Sequence, residues 1–139
     1  MAYIVWKNSF NIGVEEMDEQ HKLLVGYINE LYDAIQSKNE KAIVEPIFDK
    51  LTDYIQTHFV AEEFLLESMN YPMLETQKKQ HAFFVSELIS LKSSYLDKSQ
   101  TAQSMFLFLK DWFLHHIATE DQKYVEFIEN YDIDTIKFD

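Results

Sequence analysis

The chain has 139 residues, no cysteine, and only two glycines and two prolines. That leaves little turn chemistry for an all-β fold and excludes disulfides and thiolate metal sites, so any metal here must be held by nitrogen and oxygen. A formal charge of −12, from 24 acidic against 12 basic residues, opposes binding to nucleic acid or to anionic membranes. No apolar run approaches the roughly 18 residues of a membrane span, and the start Met1-Ala2-Tyr3-Ile4-Val5-Trp6 lacks the basic residues of a signal peptide. A single domain over 1–139, without a membrane segment and in the cytoplasm, is the expectation.

In chain order, residues 1–17 form an apolar arm carrying Ile4, Val5, Trp6, Phe10, Ile12 and Val14, with a bend at Gly13. Helical spacing begins near Asp18, read as an N-cap, and the bundle is expected over 18–131. Met17, His21, Leu24, Ile28, Leu31 and Ile35 alternate steps of four and three, which places them on one helix face and puts His21 on an apolar seam. Ser37-Lys38-Asn39 is a turn. A second helix runs from about Asn39 to Met69, with Pro46 tolerated near its start. Its seam is Leu51, Ile55, His58, Glu62, Leu65 and Met69, so a histidine and a carboxylate one turn apart occupy core positions. Asn70-Tyr71-Pro72 ends it.

The third helix carries Leu74, Gln77, His81, Phe84, Leu88, Leu91 and Tyr95 at the same steps, and Asp97-Lys98-Ser99-Gln100 is the last turn. In the fourth, Met105, Leu109, Trp112 and His116 follow the rule and Asp121, Tyr124, Ile128 and Tyr131 follow it separately, with a step of five between His116 and Asp121. Two structures fit this step. A π-bulge would keep Asp121 on the seam, whereas a regular helix would turn Glu120 inward instead. His115, about 100° round the helix from His116, belongs to the surface or behind the seam, and the runs Glu15-Glu16 and Asp18-Glu19 read as solvated surface at a helix start.

Four helices with short turns make an all-α, up-down-up-down four-helix bundle with an N-terminal arm. A single histidine on an apolar face is ordinarily a hydrogen-bonded core residue. Four histidines with two carboxylates at seam positions suit a metal site better than a structural polar network, and two carboxylates between helices suit two metals. The excess of phenylalanine and tyrosine reads as core packing.

The motifs Asp18-Glu19-Gln20-His21, His58-Phe59-x-x-Glu62-Glu63, Tyr71-Pro72, His81-x-x-Phe84 and Trp112-x-x-x-His116-Ile117-x-x-x-Asp121-x-x-Tyr124 resemble the hemerythrin family in its bacterial single-domain form. The resemblance implies two iron ions per chain with a bridging oxo or hydroxo group. Their ligands would be His21, His58, Glu62, His81, His116 and Asp121, the family pattern selecting Asp121 over Glu120. It further implies that dioxygen is taken up at the iron served by His21 and His58, in a pocket lined by Trp112, Phe113 and Ile117. One position departs from the pattern. Gln77 stands where the family has a histidine, so the iron near His81 and His116 has either a weak amide ligand or an open position.

The implied function is dioxygen binding for carriage, storage or sensing, rather than catalysis. A di-iron peroxidase or oxidase exploiting the extra position near Gln77 is the alternative. Dioxygen is the expected partner, and the sequence identifies no redox donor.

Overall fold

A computed structural model describes residues 3–37, 40–98, 100–125 and 128. Met1, Ala2, Lys38, Asn39, Ser99 and the expected seam residue Tyr131 lie outside them. Four helices follow one another: α1 (Glu15–Ser37), α2 (Glu40–Ser68), α3 (Leu74–Leu96) and α4 (Ala102–Trp112), the last continuing as a π-helix (Phe113–Glu120) and a short 3-10 helix (Asp121–Tyr124). Consecutive helices pack side by side and α4 closes against α1, giving the four-helix bundle. Among the described residues no helix is long and apolar enough to cross a membrane.

The seams lie where the spacing put them, with local shifts. Met17, His21, Leu24, Ile28 and Leu31 of α1 are buried, but at its last turn Ala34 takes the buried place and Ile35 is half-exposed. On α2 the buried face is wider than the seam, since Tyr54 and Phe59 are buried while Ile55 is only partly so. This suits a helix packed against neighbours on both sides. The helix stops because Asn70 adopts the left-handed conformation at φ 54°. Tyr71 N–H then bonds Leu66 O and Asn70 N–H bonds Glu67 O, each at 3.0 Å, satisfying carbonyls that the helix leaves open. Pro72 cannot continue it.

The start of α1 corrects the expectation at Asp18. The helix begins at Glu15, with Asp18 N–H already bonded to Val14 O at 2.9 Å, so Asp18 lies inside the first turn and is buried rather than solvated. Gly13, at φ 91°, turns the arm back over the helix start. Ile12 N–H thereby reaches Asp18 Oδ1 at 2.8 Å. The carboxylate caps the arm's backbone instead of the helix's. Further along the arm, Asn29 of α1 pairs with both backbone groups of Ile4 (2.7 and 2.9 Å), and Trp6 and Phe10 lie against Phe113.

Buried apolar residues form two clusters. The larger, with Ile28, Leu51, Phe84 and Leu109 among its members, fills one end. The smaller, around Met17, Leu65, Tyr71 and Tyr124, plugs the other and includes Ile12 and Val14 of the arm. All the polar seam residues belong to neither cluster, and they form a layer between the two.

Candidate metal centre

His21, His58, Glu62, Gln77, His81, His116 and Asp121 converge in this layer, each less than 5 % exposed. Glu62 and Asp121 are fully buried. Burying carboxylates costs several kcal/mol each unless positive charge or hydrogen bonds answer them. Asp121 reaches the layer through the π-helix: its N–H bonds His116 O, five residues back, and Thr119 Oγ1 donates to Leu114 O over the same span at 3.0 Å. In a regular helix a residue five positions on would point about 140° away. Glu120 instead is part-exposed and pairs with Lys123 at 2.9 Å, and His115 is exposed.

The two carboxylates divide their oxygens between two pairs of imidazoles. Glu62 Oε2 lies 3.6 Å from His58 Nε2 and 3.8 Å from His21 Nε2, while Oε1 lies 2.8 Å from His81 Nε2 and 3.9 Å from His116 Nε2. Asp121 Oδ2 is 3.4 Å from His21 Nε2, and Oδ1 is 3.2 Å from His116 Nε2. Donor atoms side by side on one metal, with bonds of about 2.1 Å, sit roughly 3 Å apart. His21, His58, Glu62 and Asp121 thus form one ligand group and Glu62, His81 and His116 a second, with Glu62 in both.

Three outer contacts orient the imidazoles. His58 Nδ1–H donates to Gln20 Oε1 at 2.6 Å, His81 Nδ1–H to Glu63 Oε2 at 2.8 Å, and His116 Nδ1–H to Gln80 Oε1 at 2.6 Å. With the proton on Nδ1, the lone pair of Nε2 faces inward, as a metal ligand requires. Each acceptor follows or precedes a seam residue of the preceding helix: Gln20 adjoins His21, Glu63 adjoins Glu62, and Gln80 adjoins His81. Sequence spacing assigned these three no role; their adjacency to seam residues was the available signal. Tyr124 was on the seam, and its hydroxyl donates to Glu62 Oε2 at 2.9 Å. Rings complete the setting, with Phe59 stacked on His81 at 3.9 Å, Trp112 on His116 at 4.1 Å and Tyr54 on His58 at 5.1 Å. Phe113 and Ile117 are fully buried nearby.

The electrostatics call for cations. Burial would raise Glu62, but the surrounding imidazoles of His116, His21, His81 and His58, with His81 Nε2 at hydrogen-bond distance, hold it well below the usual carboxylate range. Burial and then the charge of Glu62 push Asp121 well above that range, so protein groups alone stabilise one anion where two carboxyls face each other. Burial lowers His58 strongly and His116 less, favouring neutral imidazoles. For His81 burial is outweighed by Glu62 and Glu63, which raise it. His21 Nε2–H donates to the lone pair of His58 Nε2 at 3.2 Å, since the Nδ1–H of His58 is committed to Gln20. His116 Nε2, Asp121 Oδ2 and Gln77 Oε1 are buried with no hydrogen-bond partner among the described residues. Buried polar atoms are rarely left so. Divalent cations held by the two ligand groups would answer the unpaired nitrogen and Asp121 oxygen, and the nitrogen and oxygen donor set fits iron.

Residues 12–128 match the family described as the hemerythrin HHE cation binding domain. The chain is 32 % identical over 130 residues to a bacteriohemerythrin of Pseudomonas aeruginosa, covering 94 % of this chain and 84 % of that one. It is 34 % identical over 119 residues to a hemerythrin-like protein of Naegleria gruberi, covering 86 % and 88 %. A crystal structure of a hemerythrin with a leucine-to-tyrosine substitution superposes with a TM-score of 0.79 at 27 % identity, over 91 % of this chain and 97 % of that one. With a buried layer of four imidazoles and two carboxylates inside a four-helix bundle, and the family match spanning that bundle, the chain belongs to the hemerythrin family of cation-binding domains.

Proposed function

We propose that the chain holds two iron ions and binds dioxygen reversibly, as a carrier, store or sensor. One iron would be held by His21 and His58, the other by His81 and His116, and Glu62 and Asp121 would serve both. The observation that carries this reading is the division of the Glu62 and Asp121 oxygens between the two imidazole pairs.

When bound, the iron pair supplies the two electrons that dioxygen takes up, which imidazole and carboxylate cannot. The chain's own residues prepare the place. Gln20, Glu63 and Gln80 keep three Nδ1 protons outward and so keep the Nε2 lone pairs aimed at the centre. Tyr124 O–H holds Glu62 Oε2. Trp112, Phe113 and Ile117, with Phe10 of the arm 5.0 Å from Phe113, give the centre an apolar flank that limits the access of bulk water.

Iron analysis with optical spectra under alternating air and argon tests the reading. Two irons per chain and visible bands that appear and vanish with oxygen are expected. A single iron, or bands indifferent to oxygen, would remove it. The second reading, a di-iron peroxidase or oxidase, is favoured by Gln77, and sustained peroxide turnover with an electron donor would select it.

A further inference from the structure

We propose that Gln77 is not a metal ligand: it holds Asp121 and leaves an open ligand position on the His81–His116 side, a site for a small anion or protic molecule bound through nitrogen or oxygen. This rests on the two-metal reading above.

Gln77 is 3 % exposed, and its Nε2–H donates to Asp121 Oδ1 at 3.1 Å. That oxygen is the one 3.2 Å from His116 Nε2. Turning the amide over would set its carbonyl oxygen against that carboxylate oxygen. The nitrogen end is therefore committed. Oε1, on the other arm of the same planar group, is buried without a donor among the described residues.

Counting donors supports an open position. His81 Nε2, His116 Nε2, Glu62 Oε1 and Asp121 Oδ1 face one side, and His21 Nε2, His58 Nε2, Glu62 Oε2 and Asp121 Oδ2 face the other. The His21–His58 side thus has two imidazoles and two carboxylate oxygens, and the His81–His116 side two imidazoles and Glu62 Oε1, with Asp121 Oδ1 in reach of the His116 imidazole alone. An iron that prefers six ligands keeps positions beyond these, as two-imidazole carboxylate iron sites do. Gln77 Oε1 offers an acceptor to an occupant that carries a proton, such as water or hydrogen peroxide. Azide can take the same position without that bond.

The test is an azide titration by calorimetry on the air-oxidised iron protein and on Gln77→His and Gln77→Leu prepared in parallel, with iron counted in each. Natural protein and Gln77→Leu are expected to bind two azides per iron pair, and Gln77→His only one, because the new imidazole lies one turn from His81 and fills the position. Iron release to a chelator is expected to be about ten times faster from Gln77→Leu than from the natural protein, since Asp121 loses its tether. One azide in the natural protein and two in Gln77→Leu would make the amide a ligand and overturn the proposal. Equal azide counts in the natural protein and Gln77→His, which needs no folded Gln77→Leu to compare, would overturn it as well. Fewer than two irons in the natural protein, before any azide is added, would instead remove the two-metal reading.

Discussion

On the His81–His116 side of the layer both imidazoles are tied from behind, by Glu63 at 2.8 Å and Gln80 at 2.6 Å, whereas on the His21–His58 side only His58 is, by Gln20 at 2.6 Å. The ties follow the order of the bundle. A residue of α1 backs the histidine of α2, one of α2 backs that of α3, and one of α3 backs that of the fourth helix. The cycle stops at His21, whose Nδ1 is buried without a partner among the described residues. Gln122, beside Asp121 and so the counterpart of the other three, donates to Phe10 O at 3.2 Å instead. The fourth helix thus turns its counterpart residue to the arm. A ring fixed at both nitrogens has one orientation, while a ring held at one can turn. The less constrained half is the one where the family resemblance puts oxygen uptake, and the firmly tied half is the one with Gln77 in place of an imidazole.

The largest effects should come from removing what the halves share. On the two-iron reading proposed above, Glu62→Ala and Asp121→Ala are each expected to drop the iron content from two per chain to below one, measured by elemental analysis of purified protein. Full occupancy of one iron in either variant would show that the halves are independent. Removing the metal comes next. A centre bound about a thousandfold above its dissociation constant adds ~4 kcal/mol to stability, so the stripped protein should melt roughly 10 °C lower. An unchanged midpoint after verified stripping would mean that the layer is stable without cations.

The outer ties sharpen the comparison itself. Losing such a contact typically costs about 10 to 100-fold in metal affinity. Iron release to a chelator is expected in two phases, the faster from the His21–His58 half; Gln20→Leu should accelerate the faster phase and Gln80→Leu the slower. Acceleration of the same phase by both would erase the distinction between the halves. The smallest effect is expected for His115→Ala. An exposed residue outside the layer should change stability by less than about 0.5 kcal/mol and leave both irons in place, read from melting and iron content together.

Much of this was legible in the chain. Positions such as Leu24, His58, Glu62, His81 and Leu109 were placed on the buried faces because helical periodicity is local: spacing alone decides which side chains share a face. Even the step of five between His116 and Asp121 pointed to the wider winding found at Phe113–Glu120, although the alternative with Glu120 inward could be dismissed only by family pattern. Asp18 was misread for a comparable reason. Its type suits a helix start, but the left-handed turn at Gly13 brought Ile12 N–H to its carboxylate.

What the sequence by itself determined was the helices, their seams and the residue types that meet in the layer, because these depend on side-chain chemistry and on a repeat of a few residues. The tertiary structure decided which oxygen of Glu62 faces which imidazole, that Gln77 reaches Asp121 across 44 positions of chain, and that three histidines are backed while His21 is not. Those are distances between different helices, set by how far the helices lie apart and how they are rotated about their axes, and no spacing along one helix carries that information.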